Sequence, residues 1–320
     1  MIYFKFLFGP LIAASMAFGS AVAQPITKIV VPFAAGGGTD VYVRMLAQEM
    51  TNRGTRVIVE NRPGGSAVVA ADYVAKAKPD GQTLVVSFLG MLGTNVLLFD
   101  KLPYDPKKDF TSVSQIAYQP TIMVGRSELP YRNLKEMVEY AKANPGKINR
   151  GSPGAAILSN LAPITFERSL GISTNHIPFN GDAQAIQAML SDSIDIYGTS
   201  ITSSLPHIKS GKFRVLGVMG GERLPQAPDA PTFKEQGYNF EAPLRYYLSA
   251  TGGSPKEVVD KLNRAINEVL ADHAFIERAR AIGMEPRGGS PQEMDTLLSA
   301  EIERWNPVVK SLNLPKSDKQ

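Results

Sequence analysis

The sequence predicts an α/β protein of two domains, and three observations carry that expectation. Strand-like runs alternate with helix-like runs from one end to the other, the pattern of helices layered on mostly parallel sheets. A length of 320 residues suits two domains. The pattern restarts in mid-chain, and a late strand-like run leads back toward the first sheet. One half is therefore expected to be discontinuous, with two crossings between the halves.

An export signal precedes the first strand. Phe6 to Phe18 is apolar, Lys5 stands before it, and Ala21-Val22-Ala23 forms a small-x-small pattern that places the cut after Ala23. A membrane anchor is the rival reading, but the apolar run is short for a bilayer of about 30 Å and holds Gly9 and Pro10. The chain has no cysteine, so neither lipid attachment at the cut nor a disulfide framework is open to it. A soluble mature protein large enough to bury a core without staples is expected.

Ile26 to Phe33, Arg56 to Glu60 and Thr83 to Ser87 read as strands. Between the first two, Tyr42, Met45, Leu46 and Met50 recur at helical spacing, with Thr39 as the expected N-cap. Ala67 to Lys78 reads as a helix stopped by Pro79-Asp80-Gly81. The middle of the chain restarts with Ile122 to Val124, a helix over Leu134 to Ala143, and a strand over Ile148 to Ser152. Strand-to-helix turns follow at Ser152-Pro153-Gly154 and at Pro178 to Asp182, the latter opening a helix that buries Ala185, Ile186, Met189 and Leu190. Strands over Ile194 to Tyr197 and Phe213 to Met219 complete this half. After a proline-rich crossing from Pro225 to Pro231, Tyr246 to Ala250 reads as the returning strand. Two helices are expected in the tail, one facing inward through Val258, Leu262, Ile266 and Val269, the other through Leu297, Leu298, Ile302 and Trp305.

Charge narrows the function. The 34 basic and 30 acidic residues leave a net +4, spread without a basic run or aromatic-basic interleaving. That argues against nucleic acid and suits mild attraction for small anions. The most informative stretch is Ile29 to Asp40, where a buried-looking strand breaks into Gly36-Gly37-Gly38 and then a helix. Such a turn exposes N–H groups where the helix dipole favours negative charge. A turn that needs glycine only for its positive φ is the alternative. The dinucleotide fingerprint fails because Val41 stands where its third glycine belongs, and no phosphate loop ending in Gly-Lys-Ser/Thr exists.

Enzymatic readings find little support. There is no Gly-x-Ser-x-Gly elbow, and His176, His207 and His273 are expected in unrelated settings, on a strand, in a loop and at a helix end, none paired with a nucleophile. Metal signatures are absent. No catalytic residue, metal or cofactor is therefore expected. Three strand-to-helix turns converging in a cleft would give binding without chemistry.

The chain resembles the exported Bug-type, or TctC-type, solute receptors of tripartite tricarboxylate transporters, from Pro25 to about Leu314. The markers are Ile29-Val30-Val31-Pro32-Phe33 with Gly36-Gly37-Gly38-Thr39-Asp40, then Val59-Glu60-Asn61-Arg62-Pro63-Gly64, Lys78-Pro79-Asp80-Gly81-Gln82-Thr83-Leu84 and Leu102-Pro103-Tyr104-Asp105-Pro106. Ala143-Asn144-Pro145-Gly146-Lys147, Ser152-Pro153-Gly154, Leu205-Pro206-His207-Ile208-Lys209-Ser210-Gly211-Lys212 and Pro228-Asp229-Ala230-Pro231-Thr232 continue the set in order.

The resemblance implies a type II periplasmic-binding-protein fold, two α/β lobes joined by two crossing strands with the ligand cleft between them. It assigns 24–121 and 246–320 to lobe 1 and 122–245 to lobe 2. One carboxylate would be held by Phe33, Ala34, Ala35, Gly36, Gly37 and Thr39, with Asp40 at the helix start, partly through ordered waters. The second lobe would add the Ser152 loop, the Ser159 hydroxyl and Phe179-Asn180-Gly181. The implied partners are a small organic carboxylate and the membrane permease subunits of a tripartite transporter, the implied compartment is the periplasm, and a monomer not embedded in the membrane is expected.

Several departures bear on the ligand. Ala155-Ala156-Ile157 replace a usual Asn-Gly-Thr, Pro163 falls where it should kink a helix or move its start, and Asn180 replaces a customary Lys. Thr199 stands where relatives often carry Asp, a change that argues against an amino-acid ligand. Arg245, where an aromatic is common, could clamp the far end of a dicarboxylate or be a surface or hinge residue; Arg150 carries the same ambiguity. Phe88, Leu89 and Met91, with Phe33 and Phe179, suggest an apolar wall and hence an aromatic or otherwise apolar acid. A clamp that serves a signalling partner instead of a permease is the second reading, and a hydrolase or isomerase the third.

Overall fold

The computed structural model describes residues 25–152, 158–179, 182–313 and 316. The export signal, the segment 153–157, Asn180, Gly181 and the extreme tail lie outside the described residues. In chain order the elements are β1 (Thr27–Val31), α1 (Gly38–Asn52), β2 (Val57–Asn61), α2 (Val68–Ala75), β3 (Thr83–Ser87), α3 (Asn95–Leu98), β4 (Phe110–Gln119), β5 (Thr121–Arg126), α4 (Leu134–Ala143), β6 (Asn149–Ser152), α5 (Leu158–Leu170) and β7 (Asn175–Pro178). There follow α6 (Asp182–Leu190), β8 (Ile196–Ser200), α7 (Ile201–Lys209), β9 (Phe213–Val218), β10 (Leu244–Thr251), α8 (Lys256–Leu270), α9 (His273–Ala281), β11 (Glu285–Pro286) and α10 (Pro291–Ser311).

The strands form two sheets, ordered β11-β4-β10-β3-β1-β2 and β7-β6-β8-β5-β9. In the first, β1 pairs parallel with β2 and β3, while β10 runs against β3 and β4. In the second, β6 pairs parallel with β7 and β8, while β5 runs against β8 and β9. The reversed strands β5 and β10 are those that follow a crossing between sheets. Because each arrives from the other lobe, it inserts against the direction set by the strand-helix-strand units.

Composition explains the layering. Ile29, Val30 and Val31 are fully buried, as a β-branched strand flanked by parallel neighbours with both faces covered should be. One face of the first sheet packs Ile29, Val31, Leu84 and Val86 against Tyr42 and Leu46 of α1 and Leu262 and Ile266 of α8. The other face packs Val30, Val85 and Tyr247 against Val68 and Ala71 of α2. The second sheet is covered likewise by α6 and α7 on one side and α4 and α5 on the other.

One departure from the sequence reading is local. The tail holds three helices, not two, because Asp272 caps a new one, its carboxylate accepting from Phe275 N–H at 3.0 Å. Pro163 lies inside α5, and Gly198 lets β8 pack closely there, since a Cβ on it would lie 2.6 Å from the Ser159 carbonyl and 3.0 Å from Pro163. Helix α10 starts with a capping box of Ser290 and Glu293. It then spans both cores, Met294 packing with the first sheet and Trp305 and Val309 with the second lobe.

The crossings run side by side. β4 passes to β5 through Pro120 alone, and the returning chain is tied to it by Thr121 Oγ1 donating to the Ala242 carbonyl at 2.7 Å and Met219 N–H donating to the Thr121 carbonyl at 2.8 Å. The lobes also touch at one side, where Thr202 Oγ1 donates to the Ile282 carbonyl at 2.6 Å and the Gln226 amide donates to the Arg280 carbonyl.

Candidate functional site

The first wall is the turn from β1 into α1. Gly37, not Thr39, is the N-cap, with extended backbone and no side-chain cap; the capping work falls to Asp40. Its Oδ2 reaches back to accept from Gly36 N–H at 2.9 Å, and Gly36 has φ +83°, a conformation that favours glycine. Arg44 Nε donates to both Asp40 oxygens at 3.0 Å, and Asn61 Nδ2 bridges Asp40 Oδ1 at 2.8 Å and the Phe33 carbonyl at 3.1 Å. Burial alone would raise the Asp40 carboxyl, but the bonds from Arg44, Gly36 and Asn61 outweigh it and hold the group below its ordinary value.

These ties fix the turn and engage its Gly36 N–H. The first-turn N–H groups of a helix have no intrahelical acceptor, and here they belong to Gly38, Thr39 and Asp40, with Ala34 to Gly37 exposed above them. Phe33 stacks on Phe88 with centroids 5.5 Å apart and meets Tyr246 edge-on at 6.3 Å. The Tyr246 phenol donates to Gln119 Oε1 at 3.4 Å, and burial raises its pKa. Leu89 and Met91 are buried in the hydrophobic cores, and Phe33, Phe88 and Tyr246 form an aromatic cluster beside the turn.

The opposing wall belongs to the second lobe. The start of α7 comes up to the start of α1, where a Cβ on Gly38 would lie 3.8 Å from Thr202 Cγ2. Ser152 and Ser159 are buried, and Phe179 packs on the core beside Gly151. Thr199 is buried as well, its hydroxyl directed to Asp182 Oδ1 at 3.4 Å.

Both arginines singled out in the sequence have partners inside the protein. Arg150, 1% exposed, pairs with Glu167 at 2.8 Å and donates to Asn160 Oδ1 at 2.8 Å beneath the wall. Burial pushes its guanidinium down and the Glu167 carboxyl up, with their attraction opposing both. Arg245 pairs with Glu301 of α10 at 3.1 Å, and Tyr247 donates to the same carboxylate at 2.8 Å. Since Tyr246 packs on the α1 side of β10, strand alternation turns Arg245 and Tyr247 to the opposite face. The far-carboxylate clamp expected of Arg245 would have to draw it from Glu301.

Sequence reasoning placed no histidine near a serine, yet Ser152 Oγ lies 2.7 Å from His176 Nε2. His207 is also in the last turn of α7 and not in a loop. The serine-histidine contact is poorly suited to nucleophilic catalysis. Ser152 is fully buried, and burial first, then the Arg150 charge, lower the His176 pKa, disfavouring the imidazolium that a general base must become. Among the described residues no group of three or more His, Cys, Asp or Glu could hold a metal ion.

Asn61, Tyr246, Asp182 and His176 contact the expected site residues Asp40, Phe33, Thr199 and Ser152 without having been among them. Asn61 was legible as a polar end to a strand running beside β1; the others depend on strands far apart in sequence.

Comparison with known proteins agrees with this geometry. A family model described as "Tripartite tricarboxylate transporter family receptor" matches residues 42–314. The chain is similar to "R. palustris Rpa4515 with adipate" at 30% identity and a TM-score of 0.81, covering 91% of this chain and 98% of that one. It is similar to the periplasmic binding protein BugD at 32% identity and a TM-score of 0.76, covering 91% and 99%. MatC from Rhodopseudomonas palustris with bound malate matches at 33% identity and a TM-score of 0.74, covering 89% and 99%.

Proposed function

The chain belongs to the tripartite tricarboxylate transporter receptor family, and on that premise we propose that it captures a small organic carboxylate between its lobes and delivers it, unaltered, to a membrane permease. The observation that carries this reading is the β1–α1 turn, exposed from Ala34 to Gly37, tied by Asp40, Arg44 and Asn61, and met at Gly38 by the start of α7. Directional N–H donors at a helix start suit a carboxylate oxygen. Similar structures carry adipate and malate.

Closure supplies the signal. A ligand touching both walls favours the closed clamp by its differential affinity for that state. The Thr202–Ile282 and Gln226–Arg280 bonds would break on opening, whereas the Pro120 crossing would act as the hinge. No helix among the described residues is long and apolar enough to cross a membrane. We assign the mature chain, cut after Ala23, to the periplasm as a monomer.

A thermal-shift screen over mono-, di- and tricarboxylates, aromatic acids and amino acids tests the reading. Ligand at about 100 times its Kd stabilises the native state by about 2.7 kcal/mol, a shift of several degrees. Gly37→Val puts bulk in the mouth of the turn, where its first carbon meets only the Ala34 carbonyl at 3.5 Å. It should abolish binding and leave the melting point of the free protein nearly unchanged; unchanged affinity by calorimetry would remove the turn from the site.

A further inference from the structure

The lobes are joined unequally in two places. Where α7 and the Gln226 segment meet the end of α9, they share two hydrogen bonds, from Thr202 Oγ1 to the Ile282 carbonyl at 2.6 Å and from the Gln226 amide to the Arg280 carbonyl. Where α10 runs, they share a core. Leu89, just past β3, and Leu98 of α3 pack into one apolar cluster with Leu161 and Phe166 of α5, and Trp305 and Val309 of α10 complete it.

Helix α10 is fastened to both bodies within about one turn. On the first, Glu301 pairs with Arg245 of β10 at 3.1 Å and accepts from the Tyr247 phenol at 2.8 Å. Ile302 is pressed on the same body, since a Cβ on Gly93 would lie 2.6 Å from it. On the second, Trp305 is 2% exposed, the Arg304 guanidinium stands 5.6 Å over the Phe240 ring, and Arg168 Nη1 donates to Ser311 Oγ at 2.6 Å. A hydrogen-bonded helix does not stretch, and close-packed side chains do not slide past one another freely. The weak point lies just beyond, where Pro307 cannot donate to the Glu303 carbonyl. Two bodies pinned to one stiff turn can rotate about it but cannot separate there.

Resting on the closure described for the proposed function, and not on the identity of the ligand, we propose that the Glu301–Trp305 turn of α10 is a third connection between the lobes and fixes the axis of their closure. The axis runs from the Pro120 crossing through this turn. The lobes swing apart at Thr202 and Gln226 while Trp305 stays seated. The last turns of α10, expected with lobe 1, ride with neither lobe alone.

The chain has no cysteine, so paired spin labels can be placed at will. Gln48→Cys on α1, Gln187→Cys on α6 and Lys310→Cys on α10 are at exposed positions. Combined in pairs in the mature chain, they give a triangle of distances by pulsed electron resonance, measured with the interlobe bonds intact and after Thr202→Val with Gln226→Ala has released them. The α1–α6 distance should lengthen by several ångströms on release, while the α1–α10 and α6–α10 distances hold. A changed α6–α10 distance makes α10 a part of lobe 1 only; a changed α1–α10 distance means that the helix bends at Pro307 and travels with lobe 2. Either overturns the proposal, and a fixed α1–α6 distance removes the swing and its axis together. Trp305 is the only tryptophan, so its emission in unlabelled chain checks the seat without any cysteine substitution. Emission and acrylamide quenching should be the same before and after release, and a red shift overturns the proposal. No ligand enters these measurements, so failure of the carboxylate screen would leave their outcome readable.

Discussion

Each lobe brings a carboxylate to the cleft at the start of a helix, and the two are held by opposite means. Asp40 is bonded by a guanidinium, an amide and a backbone N–H, so its charge is spent on shaping the turn. Asp182 is held by the hydroxyls of Thr199 and Ser203, and the Arg150–Glu167 pair lies buried in the same lobe. The same residue type is thus tied by a cation and amides on one wall and by hydroxyls on the other.

The largest way to break this contrast is to strip the second lobe of its buried support. Glu167→Ala leaves Arg150 charged, buried and unpaired, which costs about 3–5 kcal/mol, read by urea unfolding. A loss below about 1 kcal/mol, the level of an exposed pair such as Arg223–Glu235, would mean the pair carries no such load.

Next in size is Asp40→Ala, which removes bonds to charged and backbone donors at once and should cost about 2–3 kcal/mol together with at least tenfold in ligand affinity. The pH dependence has a definite sign. Because the Asp40 carboxyl titrates below its ordinary value, its stabilisation is present above the unfolded pKa of about 3.9 and is lost as pH falls through the lower folded value. Wild type and variant should therefore converge in melting temperature toward acid pH; a constant gap would refute the charge-based tie.

Arg245→Ala asks whether the remaining arginine belongs to the site. It removes the counter-charge of buried Glu301, whose carboxyl burial already raises against the pull of Arg245. A raised acid binds its proton more tightly in the folded state, so stability falls as pH rises from the unfolded value through the folded one, and the variant should steepen that fall. About 1–2 kcal/mol is expected near neutral pH, discounted for the partial exposure of Arg245. Affinities for mono- and dicarboxylates should change alike; a selective loss for dicarboxylates would return Arg245 to the cleft.

The smallest effect is expected from Thr202→Val, which removes a single interlobe hydrogen bond worth about 1 kcal/mol. Affinity should fall a few-fold with no change in the free lobes, and small-angle scattering should show a more open average. Unchanged scattering and affinity would mean the bond does not report closure.

The fold was legible where local patterns are strong. The β-branched run of β1, the helical spacing in α1 and α8, and the proline-glycine stops all produced elements close to those expected. Strand β4 escaped notice because Ser114, Gln115 and Gln119 are polar yet buried, a pattern set by its position between β10 and β11. Helix α9 was hidden by its shortness, though Asp272 gave a start signal.

By itself the sequence determined the alternation of elements, the glycine turn and the family, because periodicity, left-handed glycine and ordered motifs are local properties of the chain. Only the tertiary structure decided which charges were spent and which were left over. Arg150 and Arg245 gained carboxylates 17 and 56 residues away, and Asp182 gained hydroxyls among the described residues. Ion pairing depends on distances of a few ångströms between side chains on different elements, and such distances are fixed by the packing of sheets and helices and not by spacing along the chain.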